Sequence, residues 1–179
     1  MAESFKNSNS RAIGVVTTSS SGAVGVVTNL ITGISTIGVS AGDLIMNDNF
    51  IYGTQVSSIP STTSVIADRN STNAASVSSS SYSFLGVTSA YTNGTDKALL
   101  IGGTFANNTT SSVNLTVAVH DSSANTSVGL AQNIPVPNGS SFVISDAGKT
   151  MLESRDSIRV YVDSSNAIDV TLAILSGVS

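Results

Sequence analysis

Apolar and polar residues alternate along much of the chain. Val113, Leu115, Val117 and Val119 share one parity, with Asn114, Thr116 and Ala118 between them. Ile158, Val160 and Val162 repeat the pattern with Arg159 and Tyr161 on the other face, and Ile168, Val170, Leu172 and Ile174 do so against Asp169 and Thr171. A period of two built from β-branched residues predicts strands that bury one face. No segment sustains a 3.6-residue period with capping signals; the nearest approach to a helix is a turn over residues 146–154. Turn clusters such as Asn93-Gly94, Asn107-Asn108, Ser122-Ser123-Ala124-Asn125, Pro137-Asn138-Gly139 and Ser164-Ser165-Asn166 punctuate the second half every 8 to 20 residues. That spacing belongs to an antiparallel sandwich or barrel.

The pattern divides the chain. Strands are predicted at Lys97–Phe105, Ser112–Asp121, Ser127–Val136, Ser141–Ser145, Thr150–Leu152, Ser157–Asp163 and Ala167–Ser176. They make residues 89–179 a jelly-roll or Greek-key-like β-sandwich. Residues 11–88 read as a small β-barrel or hairpin module. In it GVVT occurs twice, at Gly14–Thr17 and Gly25–Thr28, as in a duplicated hairpin, ahead of the apolar stretch Gly33–Ile59. Ser76–Ser81, almost all serine, reads as an exposed loop or linker. Residues 1–10 are polar and irregular, and are expected to be an extended arm that gains order by docking on a partner. Ala2, Glu3, Ser4, Phe5 and Lys6 are its candidate partner-binding residues. The fold class is therefore all-β throughout.

Composition narrows the function. The chain of 179 residues holds 34 Ser, 19 Thr and 15 Asn, yet 40% of its residues are hydrophobic, too many for a disordered polymer. Charged residues are 10%, against about 25% in an ordinary domain. A net charge of -4 leaves no basic stripe for phosphates, so no nucleic-acid partner is expected. The opening MAESFKNSNS has no apolar core of a secretory signal, and no run of 18 apolar residues suggests a membrane partner. With no Cys there is neither a disulfide framework nor a thiolate site.

Chemistry is sparse. The single His, in His120-Asp121-Ser122, has the residue types of a hydrolase triad, but sequence neighbours on a strand point to opposite faces, and His120 reads as a surface residue. Asp43 and Asp48, flanked by Asn47 and Asn49, lack the spacing of an EF-hand loop; Asp156, Asp163 and Asp169 fall where Asp serves turns. Gly102-Gly103-Thr104 lacks the ending of a phosphate loop and fits a bulge or a close strand approach. Tyr52, Tyr82 and Tyr91 could line a shallow sugar site, but tyrosines of this kind are more often core or interface. Seven Asn-x-Ser/Thr sequons, at Asn70, Asn93, Asn107, Asn108, Asn114, Asn125 and Asn138, are what abundant Asn, Ser and Thr produce by chance. No catalytic residue, cofactor or metal is assigned, and the chain is not expected to be an enzyme.

The opening MAESFKN, the strand and turn segments Leu100–Asn107, Val113–Ser123, Ile134–Gly139 and Leu152–Ile158, and the two strands that follow resemble a family of small virion structural proteins of marine tailed bacteriophages, cyanophages among them. One departure is visible: Arg155-Asp156 stands where the family carries Gly-Asp. The resemblance covers about half the chain plus the arm. It implies a non-enzymatic virion component, assembled in the bacterial host cytoplasm. The leading expectation is a capsid decoration (cement) protein docked on the major capsid protein lattice. The alternative is a neck, tail or fibre-adaptor component touching host-surface glycans. Either role implies other virion proteins as partners and self-association as a homotrimer or other ring.

Overall fold

The computed structural model describes residues 3–19, 21–145 and 149–178. Its strands in chain order are β1 (Ser4–Ile13), β2 (Val16–Ser19), β3 (Ala23–Val24), β4 (Leu30–Thr32), β5 (Leu44–Met46), β6 (Val56–Ser61), β7 (Ser64–Ala67), β8 (Tyr82–Leu85), β9 (Thr88–Thr92), β10 (Lys97–Asn107), β11 (Val113–Asp121), β12 (Thr126–Val136), β13 (Ser141–Ile144), β14 (Thr150–Leu152), β15 (Ser157–Val162) and β16 (Ile168–Val178). Every assigned ladder is antiparallel and no helix occurs among the described residues. The predicted strands of the second half match β10–β16 to within two residues at each end. The turn proposed over 146–154 is not helical where it is described: Thr150–Leu152 is strand β14, and residues 146–148 lie outside the described residues.

The chain forms two compact units, Met1–Gly14 with Thr88–Ser179, and Val15–Val87. In the first unit, one sheet runs β1-β16-β10-β13, with β14 also on β10, and the other runs β12-β11-β15-β9. β13 pairs with Gly103–Ala106 and β14 with Ala98–Leu100, so together they act as one broken edge strand. Counting that pair once gives eight positions along the chain. The first then pairs with the eighth, the second with the seventh, the third with the sixth and the fourth with the fifth. This is the pairing of one long antiparallel hairpin rolled over itself, the jelly roll. The alternating residues explain it: Val113, Leu115 and Val117 of one sheet meet Leu100, Phe105, Val170, Leu172 and Ile174 of the other in a single core. Phe105 packs on Phe142 with ring centroids 6.2 Å apart.

Two buried asparagines tie the sheets together at the two ends of β10. Asn107 closes β10, and its Nδ2 donates to the Val136 carbonyl on β12 (2.8 Å) and to Ser111 O (2.7 Å). Asn93, just before β10, donates from Nδ2 to Leu152 O (3.1 Å), Glu153 O (2.8 Å) and Asp96 O (2.6 Å), and accepts from the Tyr91 hydroxyl. A carboxamide with every donor and acceptor engaged is the form in which a buried polar group is tolerated.

The second unit is an insertion between the first two jelly-roll strands. It holds a three-stranded sheet, β2-β8-β5, and a four-stranded sheet, β3-β4-β7-β6. Ile31, Ile34, Ile45, Val65, Tyr82 and Phe84 dominate its own core. Its entry and exit are side by side: Val16 pairs with Leu85, and the Gly86 N–H donates to Val15 O at 2.7 Å. Adjacent ends are what allow one unit to be inserted into another.

Three expectations need correction. Residues 1–10 do not form a segment apart from the sandwich; Ser4–Ser10 pair in unbroken register with β16, from Ser4↔Ser176 to Ser10↔Val170. Polar composition hid the strand because it is an edge strand that contributes only Ile13 to the core. The small module is accordingly Val15–Val87, and the sandwich takes residues from both sides of it. Ser76–Ser81 is an irregular, largely exposed loop as expected, but not a linker, because Val77 exchanges both backbone hydrogen bonds with Val24 (2.9 Å each) and packs on the core of the inserted unit. Nor do the GVVT copies duplicate a hairpin: the first leads into β2, and the second is the β3–β4 turn.

Candidate interaction surface

Four of the five candidate arm residues lie at the start of the jelly roll; Ala2 lies outside the described residues. Strand alternation separates them. Lys6 and Ser8 face the neighbouring sheet, with Lys6 Nζ 5.1 Å from the Tyr91 ring centroid and Ser8 Oγ donating to Ala90 O at 2.9 Å. Phe5 points to the outer side and is 74% exposed.

Register places Phe5 in a row that sequence does not reveal. Phe5 pairs with Leu175, Leu175 with Leu99, and Leu99 with Met151. The flanking residues Ala98, Leu100 and Ile174 are in the core, so the row of four faces outward. Met151 is 49% exposed, and Leu99 and Leu175 are half-buried. The parallel row farther along the sheet is Asn9, Thr171, Thr104 and Val143, polar except at its end. One apolar ridge thus crosses the outer face of the β1-β16-β10 sheet.

The groups weighed for chemistry hold the scaffold instead. His120 is buried, and Nδ1 lies 3.1 Å from Ser127 Oγ, the residue opposite it on β12. Its pKa is lowered by burial and by the nearby Arg159, with Asp156 and Asp121 opposing. A serine–histidine relay requires a carboxylate on the other ring nitrogen. Here the ring hydrogen-bonds the Thr126 backbone, and Arg159 Nη1 stands 3.5 Å from the same Ser127 hydroxyl. Asp121 caps its turn through Ala124 N, Ser123 Oγ and Ser123 N, which hold its carboxyl below the usual range.

The other aspartates do similar work. Asp156 accepts from Ser122 N and Glu153 N, Asp163 from Asn114 N, and Asp169 from Ala12 N. Asp43 accepts from Ser40 N (2.8 Å) and Val87 N (3.2 Å); burial raises its pKa and these two bonds oppose the rise. Among the described residues, no group of three His, Asp or Glu side chains could hold a metal ion.

Tyr82 and Tyr91 belong to the cores of separate units. Of the sequons, Asn93 and Asn107 have their amide nitrogens fully engaged in buried hydrogen bonds. Gly102-Gly103 is both a bulge and a close approach: register shifts at Leu100/Gly102, and a Cβ on Gly103 would lie 2.6 Å from Leu172.

No family model, no curated protein and no solved structure matches this chain.

Proposed function

We propose that this protein is a non-catalytic structural component of a phage particle, a decoration protein that docks on the major capsid protein lattice. The observation that carries the reading is the ridge Phe5–Leu175–Leu99–Met151, an apolar row on the outward sheet face, beside a row with Asn7 and Ala173 and a farther one of Asn9, Thr171, Thr104 and Val143. A contiguous exposed apolar strip marks a contact surface. The polar side chains with reactive potential are held by turn and sheet hydrogen bonds, as suits a body built to pack rather than to turn over substrate. The phage resemblance of the strand and turn segments supplies the kind of partner.

The test is quantitative mass spectrometry of purified particles, followed by rebinding to particles stripped of this protein. A copy number in the hundreds, lost on rebinding when Met151→Asp or Leu99→Asp is used, supports the decoration role. A copy number near a dozen overturns it in favour of a neck, tail or fibre-adaptor position. Absence from particles overturns the virion reading altogether.

A further inference from the structure

The jelly roll has four sheet edges, and three are blunted. β12 carries Pro135, a left-handed Asn133 and two register shifts; β9 has five residues and a shift; β13 and β14 are two short pieces. Breaks, bulges, proline and shortness are the means by which edges avoid pairing. β1 differs: Ser4 to Ser10 run in unbroken register, without proline, and the bulge comes only at Arg11–Ala12. Its one inward charge, Lys6, lies against Tyr91.

The outward residues of this edge read symmetrically about Asn7. Continuing the alternation of β1 one residue back puts Glu3 on the side of Phe5, and Arg11 stands over the outward Asp169 at 3.9 Å with its side chain 91% exposed. Laid antiparallel against a copy of itself with Asn7 on the axis, the strand sets Glu3 opposite Arg11, Phe5 opposite Asn9 and Asn7 opposite Asn7. Both charges then meet their opposite, twice over. Identical antiparallel edges can join only about a two-fold axis, because each must give what it receives.

We propose that β1 is a self-pairing edge, and that two copies of this chain join β1 to β1 in that register as an isologous dimer. The partner is a second copy rather than a foreign extended segment, because the charge order is complementary to itself. Regular pairing covers the seven residues Ser4–Ser10 on each side, with Glu3 and Arg11 just beyond its ends, so the association is weak and concentration-dependent, below the size of a standard stable interface. It stands independently of the virion role, and would be the smallest ring the chain can form.

The absence of cysteine makes the test direct. In the full chain, Asn7→Cys puts one thiol beside its own copy on the axis, whereas Asn9→Cys faces Phe5 of the copy. Under mild oxidation Asn7→Cys is expected to give a covalent dimer at least tenfold faster than Asn9→Cys; equal rates overturn the register. In sedimentation equilibrium at low salt, Glu3→Arg should weaken dimerisation about tenfold, since two attractive pairs become two repulsive ones. Glu3→Arg with Arg11→Glu should restore it. Failure of the double variant to restore the dimer, or a wild-type chain that stays monomeric at millimolar concentration, overturns the proposal. Neither result touches the particle copy number.

Discussion

Replacing Asn107 with Asp changes one NH2 group into an oxygen, and the structure makes that change severe. Asn107 is 5% exposed. Its Nδ2 donates at 2.7 and 2.8 Å to two carbonyls, while Oδ1 accepts from the Thr109 N–H and hydroxyl at 2.8 Å each. An ionised aspartate would set oxygen against both carbonyls. A protonated one can donate to a single carbonyl, losing one hydrogen bond worth about 1 kcal/mol, while the carbonyl it gives up keeps its other donor, Thr109 Oγ1 on Ser111 O (2.9 Å) or Ser112 Oγ on Val136 O (3.4 Å). Two further pKa units of upward shift would add roughly 2.7 kcal/mol at neutral pH. The folded pKa would then be raised above the unfolded value of about 3.9, so the variant keeps most stability below that value and loses it as pH rises through the folded pKa. The sandwich transition in scanning calorimetry, compared with wild type at each pH, should fall by about 10–20 °C at pH 7.5 and by clearly less at pH 4. Asn107→Ala should be destabilised equally at both, and Asn138→Asp, on an exposed turn, by almost nothing. A loss for Asn107→Asp that does not shrink on acidification would refute the role assigned to the two carbonyl contacts.

Three other substitutions probe separate features. Arg155 sits at φ +66°, and Arg155→Gly should raise sandwich stability by up to about 1 kcal/mol in urea titration. The lowered pKa of His120 means that the unfolded chain takes up its proton first. Stability should therefore fall as pH drops through about 6.5 toward the folded pKa, and His120→Gln should remove that slope when the curves are compared between pH 7.5 and 5. Deleting residues 1–10 removes a strand that is polar on its inner side, so circular dichroism should still show a β fold, with a lower midpoint because the β16 backbone loses its ladder partner.

The strands from β10 onward were legible because Val, Ile and Leu alternate with other residues along them, even where the second face is covered too, as at Thr116, Ala118 and Tyr161. β1 was not, because its inward positions are Lys6, Ser8 and Ser10. What holds it is the backbone ladder to β16, and a ladder leaves no mark on residue type. The apolar ridge was hidden for a related reason: Phe5, Leu99, Met151 and Leu175 lie far apart in sequence, and only register brings them together. Asn93 and Asn107 read as turn residues and do stand at strand ends, but nothing in the sequence distinguishes a solvated asparagine from one that ties two sheets. Val77 was lost among serines for want of a pattern around it.

The pairing of β1 with β16 also has a consequence for the order of events during synthesis. About 155 residues separate Ile13 from its partner Ile168, which at roughly 5–20 residues per second is a wait of about 8 to 30 s. Throughout that interval β1 has been made and its neighbour has not, while the inserted unit, with local partners from Val15 to Val87, is free to close. A strand of Val and Ile left waiting would be an aggregation hazard, whereas one of Ser, Asn and Lys can stay hydrated until β16 arrives. The polarity that disguises β1 as an arm is thus what lets a first strand pair last.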